Sequence, residues 1–559
     1  MKKILSLILC IVCVSLLFSA CGKNKGNGGS DGEATKLTIY KARSSGMVDG
    51  KDEEKVRKAI EDKFYKDTGE KISLDVKLYT DDELTTKVDT NWAKRSSDID
   101  AVIHYTSEDS GSAIKKYAAS PETVYEVSSL LNQYGENIWK YIRQDDEGHV
   151  VERSAYMPYT DGTYSMNLIP GVELGQGYAM VVRKDMMREL YNAGHISFSP
   201  EEFDVSNDNY RSMTFSEFNT FLYACKNHIE NIRYPLSGYP WDLNRVLGGV
   251  FSADLYSIQK DDNGNYAPAQ FASETADLLN QMWTWAKEGV WESESASMTD
   301  SIRNANFFAG YSAVYCSYPQ IDNLISIMRM FSNANTSGEL MVIAPLETDE
   351  GDVNGYMAIP RAFSGLILPD RENSDAEMVV KYINWMYSDV ENYELAKYGI
   401  KGEHWNDGDD YVFNGKTYKT WVYPDGKEDE FNANPPYSGK YCILPNINVC
   451  NKVRGDYNTQ EKGWYVLATQ EFPAFSCDTE PGVWMPEIPR EYKTMYNSID
   501  GNYVEHVRSV AWAGLGNDSV YTLLEKYISD SRRDNGPYLT YIDQSIKNSL
   551  AYFDNLFKD

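Results

Sequence analysis

An alternation of strand and helix periods at the start of the globular part constrains the fold more than any other feature of this sequence. A strand pattern at residues 37–39 precedes apolar residues at helical spacing in 54–66, and residues 72–78 then alternate between apolar and polar. A second helical spacing covers 84–92, and the apolar run 101–103 is typical of a buried strand. Strand–helix repeats of this length predict an α/β fold with a parallel sheet covered by helices.

Later segments continue in the same style. Apolar spacing predicts further strands at 177–182, 314 and 340–344, and further helices at 184–193, 273–287, 376–387 and from 503 onward. Thr214 and Glu217 match the capping box that begins a helix. Between about 405 and 500 the sequence is rich in Gly, Pro, Asn and aromatic residues, which indicates an insert of loops and short hairpins. Asn414-Gly415 and Asp425-Gly426 are hairpin signals within it.

The amino-terminal residues have the pattern of an export signal. Lys2 and Lys3 precede an apolar run over 4–18, and two small residues stand directly before Cys21. The run is shorter than a membrane-spanning helix requires. We therefore expect a lipoprotein signal peptide over 1–20 and a lipid on Cys21; an ordinary signal peptide with an incidental cysteine is the alternative. The Gly-, Asn- and Ser-rich composition of the following stretch, which we place at 21–35, predicts a flexible tether.

Length and charge restrict the partners. A chain of 559 residues is long enough for two or three domains with their own cores. A net charge of −29 repels nucleic acid and anionic lipid, so we expect no nucleic-acid partner and membrane contact through the anchor alone. The 42 tyrosines and 12 tryptophans are aromatic residues with one polar end, which suit the faces of sugars, although most of them must pack in the core.

The cysteines give no disulfide framework. Besides the anchor, the mature chain contains Cys225, Cys316, Cys442, Cys450 and Cys477. Their odd number and irregular spacing predict no pairing scheme. Cys442 and Cys450 are close enough in sequence to pair across a short loop, but free buried thiols are the preferred interpretation.

The catalytic motifs that can be recognised in a sequence are missing. There is no Gly-rich phosphate loop, no nucleophile-elbow serine and no zinc-protease helix motif. The six histidines are scattered, so we expect no metal site and no cofactor. The run 261–265 lacks the spacing of a calcium loop and predicts a hairpin turn. A glycosidase needs two carboxylates facing one another across a cleft, and the sequence neither marks nor excludes such a pair.

A series of segments, in order, resembles the bacterial extracellular solute-binding proteins of carbohydrate ABC importers, and within them the long LipO/LplA-like lipoprotein branch. The segments are DTGEKISLDV, DIDAVIHY, EVSSLLNQYGENIWKYI, GYAMVVRKDMMRELY, MTFSEFNTFLYACK, LLNQMWTWAKEGVWE and AEMVVKYINWMYSDVENYELAKYGIKGEHW. The resemblance covers nearly the whole mature chain, and its specificity comes from the order of the segments. YGIKGEHW is the most branch-specific of them.

This resemblance implies two α/β lobes joined by crossing segments, with the ligand in the cleft between them. Lobe one would comprise about 36–160 with 351–400, and lobe two about 161–350 with 401–559, including the insert. The implied function is capture of an oligosaccharide by hinge closure and its delivery to an ABC permease, with no bond made or broken. The branch is common in Gram-positive bacteria, which favours the outer face of the cell membrane over a periplasm. We expect a monomer.

Strand ends in lobe one supply the first candidate ligand-binding residues, because ligands of open α/β sheets lie at the carboxyl ends of strands. Arg43 and Ser44 follow the first strand, in a loop where the resembled family often places polar donors. A surface loop without a ligand is the alternative. Tyr105 follows the third strand.

Further candidates lie in lobe two and near the lobe junction. Tyr239, Trp241 and Asp242 share a Pro-containing loop, where an aromatic ring beside a carboxylate would suit a pyranose; Trp241 as a core residue is the alternative. The resemblance places Tyr318 where the family often has a stacking aromatic residue. Trp405 ends the branch-specific segment, either as a cleft wall or as hinge packing.

Three other classes of function remain possible from the sequence. A lipid-anchored carbohydrate-active enzyme would convert a glycan rather than hold it. A binding protein for another ligand, such as a peptide or a phosphorylated sugar, would use the same fold. A structural or adhesive surface protein is disfavoured, because such proteins consist of strings of short strands rather than an α/β pattern.

Overall fold

The structure is a computed structural model, and it describes most of the chain beyond the amino-terminal 32 residues. The described residues are 33–558 without 44–48, 93–97, 107–112, 121, 145–148, 173–178, 208, 293, 295–296, 318–320, 335–337, 358–363, 373, 468–471, 473, 476–482 and 517–518. Within them, no helix is both long and apolar enough to cross a membrane. The lipidation predicted for Cys21 falls outside the described residues.

Four consecutive stretches of chain supply the helices and strands. The first contains β1 (Thr35–Ala42), α1 (Glu53–Thr68), β2 (Ile72–Tyr79), α2 (Asp81–Trp92), β3 (Ala101–Tyr105), α3 (Ala113–Ala118), α4 (Ser128–Tyr134), α5 (Glu136–Ile142), α6 (Val150–Arg153), β4 (Tyr156–Pro158), β5 (Tyr164–Met166) and β6 (Ile169–Pro170). The second contains β7 (Ala179–Arg183), α7 (Lys184–Asn192), α8 (Phe215–His228), β8 (Leu236–Ser237), α9 (Pro240–Phe251), β9 (Ile258–Lys260), β10 (Tyr266–Pro268), α10 (Ser273–Lys287), α11 (Asp300–Phe308), β11 (Val314–Ser317), α12 (Ile321–Ala334), β12 (Leu340–Ile343) and β13 (Tyr356–Met357).

The third stretch contains β14 (Ser364–Ile367), α13 (Ala376–Ser388), α14 (Val390–Tyr398), β15 (Asn406–Asp407), β16 (Tyr411–Phe413), β17 (Lys416–Tyr418), β18 (Thr420–Val422) and α15 (Glu428–Ala433). The fourth contains β19 (Val453–Arg454), α16 (Thr459–Val466), β20 (Ala474–Phe475), α17 (Lys493–Tyr503), α18 (Ser509–Ala513) and α19 (Val520–Leu556). Short 3-10 turns occur at Pro200–Glu202 and Ala269–Phe271, and a π-helical turn at Val504–Arg508.

The first lobe forms around a five-stranded sheet of order β2-β1-β3-β14-β6. β1 is parallel to both of its neighbours, and Ile39 lies opposite Val76 on one side and Ala101 on the other. Because side chains alternate across a strand, Leu37 and Ile39 enter the core formed with α1, α4, α5, α13 and α14. Tyr40 enters a second core, on the other face, with α2 and α3. The sheet is therefore covered by helices on both faces, as the strand–helix repeats predict.

The second lobe forms around a four-stranded sheet of order β12-β7-β11-β8. All five residues of β7 are buried, as expected for an interior strand; four of them are apolar, and the fifth, Arg183, pairs with Asp185. Thr214 caps the start of helix α8: its hydroxyl accepts from the Glu217 N–H, while the Glu217 carboxylate accepts from the Thr214 N–H. The capping box predicted from the sequence is confirmed. Phe218, one residue further along, is fully buried against the ring of Trp285.

The lobe boundaries differ from the predicted ones. Residues 437–450, predicted in lobe two, pack in the core of the first lobe with α13 and α14. Strand β6 completes the first sheet, although residues 161–350 were assigned to lobe two. Tyr356, predicted in lobe one, is buried in the core of the second lobe and donates its hydroxyl to Ile343 O at 3.2 Å. The places where the chain crosses from one lobe to the other depend on which strands pair within each sheet. No local sequence pattern reveals that pairing.

Sheet direction also differs from a purely parallel arrangement. In the first sheet β14 is antiparallel to β3 and to β6, and in the second β7 is antiparallel to β11 and β12. Within these two sheets, the parallel pairings are those of β1 with β2 and β3 and that of β8 with β11. The antiparallel strands are those next to the crossings, where the chain enters or leaves a lobe rather than continuing a strand–helix repeat.

The turn predictions have mixed outcomes. Asn414 and Gly415, both at positive φ, join β16 to β17 in the expected hairpin. The run 261–265 joins β9 to β10 and is the expected hairpin turn, with the Asp261 carboxylate accepting from two backbone N–H groups. Asp425-Gly426 instead forms a turn between β18 and α15, so the hairpin predicted there is wrong.

The cysteines that the structure describes are not paired. Four cysteines are free and buried: Cys225, Cys316, Cys442 and Cys450. Cys442 and Cys450 therefore do not form a disulfide, which confirms the preferred interpretation of free buried thiols. Cys477 lies outside the described residues. Burial raises the pKa of the Cys450 thiol to about 11, so it stays protonated at neutral pH.

Trp405 is a core residue, and its predicted role in ligand binding is wrong. Only 1% of its surface is exposed, and its indole N–H donates to Gly399 O at 2.9 Å. The Lys452 ammonium group lies 4.5 Å from the ring centroid, and the Tyr398 ring packs 5.4 Å away. The ring faces are covered by the protein itself, so they are closed to a ligand.

The turn before Trp405 depends on a buried histidine. His404 Nδ1 accepts from the Ile400 N–H at 2.9 Å, and its Nε2 lies 3.4 Å from the Asp52 carboxylate. Gly399 has φ 85°, and a Cβ there would lie 2.7 Å from His404 Nδ1, so only glycine fits. Burial lowers the pKa of His404, although the carboxylate of Asp52 acts in the opposite direction.

This lowered pKa predicts a loss of stability in mild acid. Between the folded and unfolded pKa values of His404 the unfolded chain binds the extra proton, so the free energy of unfolding should fall as the pH drops below about 6.5. Urea titrations over roughly pH 5–8 measure this dependence. His404→Gln should remove the contribution of His404 to the dependence of the free energy of unfolding on pH. His506→Gln, which removes an imidazole at an exposed site, is the control. A wild-type slope in His404→Gln would exclude His404 as the source.

Candidate ligand-binding cleft

One edge of the first sheet collects the ends of several strands. The carboxyl ends of β1, β2 and β3 lie there, because these strands are parallel and paired in register. Ser364, the first residue of β14, lies opposite Tyr105, the last residue of β3. The end of β6 reaches the same edge, since Pro170 pairs with Gly365. The chain therefore leaves the first lobe after β6 and re-enters it before β14 at the same edge where the loops that follow β1, β2 and β3 lie.

The second sheet has a matching edge. β8 and β11 are parallel, with Ser237 opposite Tyr315, so the residues after both strands emerge on the same side. Ala179, the first residue of β7, lies opposite Ser317 at the end of β11. The chain arriving from the first lobe thus enters the second lobe at the carboxyl edge of β8 and β11.

The two edges must lie near each other. Seven peptide units join Val172 to Ala179, and seven join Met357 to Ser364, so each pair of ends is separated by at most about 25 Å. The first crossing starts at the edge of the first sheet and finishes at the edge of the second, and the second crossing starts after β13 and finishes at the edge of the first sheet. In open α/β sheets this is where ligands bind, and a cleft between two lobes is a common place for a small-molecule site.

The loop after β8 presents two stacked aromatic rings at this edge. Tyr239 and Trp241 are nearly parallel, at 17°, with ring centroids 4.5 Å apart. Trp241 is 38% exposed, whereas the Tyr239 hydroxyl is anchored by donating to Met298 O at 2.8 Å. The core-residue alternative for Trp241 is therefore wrong. Tyr239 covers one face of the indole and leaves the other side of the ring system towards solvent.

A buried arginine continues the stack beneath Tyr239. The Arg303 guanidinium lies 4.0 Å from the Tyr239 ring centroid and 4.7 Å from that of Tyr315, so it is held between two aromatic rings. Its Nη2 donates to Cys316 O at 2.8 Å, and the side chain is 3% exposed. Tyr315, Arg303, Tyr239 and Trp241 thus form four consecutive layers ending at the cleft.

Local sequence explains why helix α9 begins at this loop. Pro240 occupies the first helical position, where its missing N–H costs nothing and its fixed φ suits a helix. Asp242 Oδ2 accepts from the Tyr239 N–H at 3.1 Å, as in a capping box. We call the stacked rings of Tyr239 and Trp241 the platform. Trp291 donates its indole N–H to Gly238 O at 2.9 Å and thereby fixes the residue directly before the platform.

Asp242 has a different role from the predicted one. Its side chain is fully buried, so it cannot contact a ligand from this position. Oδ2 lies 3.2 Å from Arg303 Nη1 and also accepts from the Tyr239 N–H. The carboxylate thus balances the buried guanidinium and fixes the backbone under the platform. Removing it would act on the ligand through the position of Tyr239 and Trp241.

Two of the predicted first-lobe residues can be placed. Arg43 is exposed directly after β1, and its backbone N–H donates to Tyr79 O at 2.6 Å. Tyr105 is half-buried, and its ring packs 4.1 Å from that of the buried His104. Both residues reach the carboxyl edge of the first sheet. Ser44 and, in the second lobe, Tyr318 lie outside the described residues.

Sequence reasoning missed Tyr79 and Arg303. Tyr79 ends β2 beside Arg43 and is half-buried, and burial raises the pKa of its hydroxyl, which therefore stays a neutral hydrogen-bonding group. The alternating pattern of β2 could have located its end. For Arg303 the signal is weaker: it falls four residues before the buried Phe307, on the same face of α11. A charged residue on an apolar helical face requires a buried partner, and the sequence does not identify Asp242 as that partner.

The part of the chain that the structure describes contains no cluster of three or more His, Cys, Asp or Glu side chains placed to hold a metal ion. The two sheet edges offer aromatic faces, neutral hydroxyls and the exposed guanidinium of Arg43, together with the exposed carboxylates of Asp81, Asp82 and Glu83 after β2. These groups stack on and hydrogen-bond to a ligand, which is the chemistry of a binding site.

Solved structures share this architecture. The chain is similar to an extracellular solute-binding protein from Bifidobacterium longum subsp. infantis, with a TM-score of 0.59 and 12% identity over 94% of this chain and 100% of that one. It is also similar to the alginate-binding protein AlgQ2, with a TM-score of 0.55 and 14% identity over 92% and 98% of the chains. The Streptococcus pneumoniae ABC-transporter substrate-binding protein FusA, in complex with kestose, gives 0.55 and 14% over 93% and 100%. The two-lobed fold of solute-binding proteins, as predicted, is therefore confirmed.

No protein-family model matches the chain, and no curated protein matches it by sequence. The similarity is thus one of fold, spread over the full length of each solved structure, at identities between 12% and 14%.

The buried pair of Asp242 and Arg303 makes a testable prediction about stability. Asp242→Asn leaves the Arg303 charge buried without its carboxylate, which should lower the free energy of unfolding by about 3–5 kcal/mol. Arg303→Met leaves the Asp242 carboxylate buried without its cation and should lower the free energy of unfolding by a similar amount. The double variant should recover much of this loss, because no buried charge remains. Urea unfolding of the three variants measures the coupling. Additive losses would show that the two side chains do not act as a pair.

Proposed function

We propose that this protein is the substrate-binding subunit of an ABC importer and that it captures an oligosaccharide between its lobes. The observation that carries the proposal is the half-exposed Trp241, stacked on Tyr239 at the carboxyl edge of the second sheet. Of the proteins with this fold, AlgQ2 is described as alginate-binding, FusA is in complex with kestose, and a solute-binding protein from Bifidobacterium longum infantis is described as HMO-binding and associated with an ABC transporter. Oligosaccharide binding by this chain rests on that fold together with the chemistry of its own cleft.

The platform suits a sugar for a physical reason. One face of a pyranose or furanose ring carries C–H groups, which pack on an indole face, while its hydroxyls need donors and acceptors nearby. Arg43, Tyr79 and Tyr105 offer such groups from the first lobe. A chain with a net charge of −29 favours a neutral ligand over an anionic one, although Arg43 is a cation at the cleft.

Capture requires motion but no chemistry. The segments in which the chain crosses between the lobes are the natural hinge, and closure would bring the first-lobe groups onto the ligand held by the second lobe. Transfer to a permease then needs only reopening. The similar proteins are transport binding proteins, which supports a protein without catalytic activity. We expect it to work as a monomer with the permease as its partner.

A glycan panel tests the proposal directly. Neutral oligosaccharides should raise the melting temperature by several degrees, because a ligand that binds only the folded state stabilises it by mass action. Chromatography of the same mixtures should return the glycan unchanged. Release of shorter products would instead support a lipid-anchored enzyme. A shift with peptides or sugar phosphates, and none with neutral glycans, would support the other ligand classes.

Replacing the platform tests the site. Trp241→Ala should weaken glycan binding by roughly 1–3 kcal/mol, the scale for the loss of an aromatic stacking surface, with little change in melting temperature without ligand. Trp283→Ala serves as the matched control, because Trp283 is also a partly exposed tryptophan of the second lobe, and its indole N–H donates to Leu515 O. Calorimetry with the strongest glycan of the panel gives both affinities. Equal affinity in Trp241→Ala and wild type would remove Trp241 from the site.

We further propose that Cys21 carries a lipid and holds the protein on the outer face of the cell membrane. The order of basic, apolar and small residues before Cys21 supports this. A tether keeps a binding protein at high effective concentration near its permease. Cys21→Ser should move the protein from the membrane fraction to the medium, and mass spectrometry of the wild type should find a lipid on its first residue. A mature protein without lipid would favour the ordinary signal peptide.

A further inference from the structure

The end of helix α19 lies against the first lobe, although most of this helix belongs to the second. Helix α19 packs in the core of the second lobe through four buried residues, Leu524, Tyr527, Tyr538 and Ile542. In the same part of the helix, Asp543 Oδ1 accepts from the backbone N–H of Tyr266 in β10 at 3.0 Å. The helix is thus fixed to the second lobe up to residue 543.

One turn and a half later the same helix contacts the first lobe. The ring of Tyr552 stacks on that of Tyr164 in β5, at 12° with centroids 4.1 Å apart. The Tyr164 hydroxyl and Ser549 Oγ are hydrogen-bonded at 2.8 Å. Phe553 is 1% exposed and meets the edge of the Tyr156 ring in β4 at 6.0 Å.

Two further first-lobe residues complete this contact. His149 stacks on Phe557 at 8° with centroids 4.2 Å apart, and the Arg153 guanidinium lies 5.6 Å from the Phe553 ring. We call the group of Ser549, Tyr552, Phe553 and Phe557 the aromatic strap. It holds the β4–β5 hairpin and helix α6 of the first lobe.

The segment between the two attachments is stiff. The kink of α19 lies at Asn535, with φ −125° and ψ 18°, two residues before Pro537. Residues 538–556 follow this kink as uninterrupted helix. Six residues separate Asp543 from Ser549, which is about 9 Å along a helix axis. The second-lobe anchor and the aromatic strap therefore move together.

The strap also lies next to the hinge. The β4–β5 hairpin leads within three residues to β6, the last strand before the first crossing. Trp484, from the carboxyl-terminal part of the chain, adds a second attachment to this region: its indole N–H donates to Ser154 O at 2.8 Å, and its ring is buried in the first lobe. The first lobe is thus bound to the second by packed side chains as well as by the crossing strands.

We propose that the aromatic strap is an additional, non-covalent connection between the lobes, which limits how far they separate in the absence of ligand. Lobe opening that displaced the β4–β5 hairpin from α19 would expose Phe553 and break the Tyr164–Tyr552 stack, each of which opposes the motion. The strap therefore biases the free protein towards a narrow range of openings. This inference goes beyond ligand capture, and it depends only on the two-lobed fold.

The test measures the distance between lobes in the full-length, ligand-free protein. Spin labels on non-natural residues at the exposed positions 62 and 192, one in each lobe, avoid the native thiols. In Tyr552→Ala the distribution of distances should broaden, and hydrogen exchange of the β4–β5 amides should accelerate by about fivefold, the scale for losing an aromatic stack. Tyr164→Leu removes the stack from the first-lobe side and should give the same result.

Tyr521→Ala is the matched control, because Tyr521 is an exposed residue of the same helix whose hydroxyl donates to Asp277 in the second lobe. It should keep the wild-type distances. Circular dichroism verifies that each variant remains folded. Wild-type distance distributions in both Tyr552→Ala and Tyr164→Leu overturn the proposal, whatever their exchange rates. Because no glycan is added, this result is independent of whether the protein binds sugars.

Discussion

The arrangement of the whole molecule depends on where the chain passes between its two sheets. Gly171 donates its N–H to Ser364 O at 2.8 Å, and a Cβ on Gly171 would lie 2.5 Å from Ser364 Oγ, so the two crossings touch backbone to backbone. The first crossing joins the carboxyl edge of the first sheet to the corresponding edge of the second, and the second crossing returns from β13 to the same edge of the first sheet. Because ligand-contacting loops follow strand ends, this single constraint gathers loops from both lobes around one cleft.

Within that cleft, the platform is supported by a buried charge pair rather than by apolar packing alone. Asp242 Oδ2 accepts from the Tyr239 N–H and also lies 3.2 Å from Arg303, so the start of helix α9 and the placement of the guanidinium are coupled. A buried ion pair adds little net stability, but it specifies one geometry, because any displacement leaves a charge without its partner. A rigid platform loses little conformational freedom when a ligand binds.

Sequence patterns predicted most of the local structure and part of the site. The periods of β1, α1 and β2, the capping box of α8 and the hairpin at Asn414-Gly415 depend on residues close in sequence, and the structure confirms them. The placement of Arg43, Tyr105 and Tyr239 at sheet edges follows from strand ends. Trp405 and Asp242 were misassigned, because burial depends on contacts with residues distant in the chain.

The sequence by itself determined the α/β class and the aromatic character of the loop after β8, and it predicts an export signal over 1–20. These features are local, so composition and periodicity contain them. Only the tertiary structure decided that residues 437–450 join the first lobe, that Arg303 lies beneath Tyr239, and that the end of α19 reaches the opposite lobe. Each of those joins residues tens to hundreds of positions apart, and the free energy that selects such contacts comes from burial in the folded molecule.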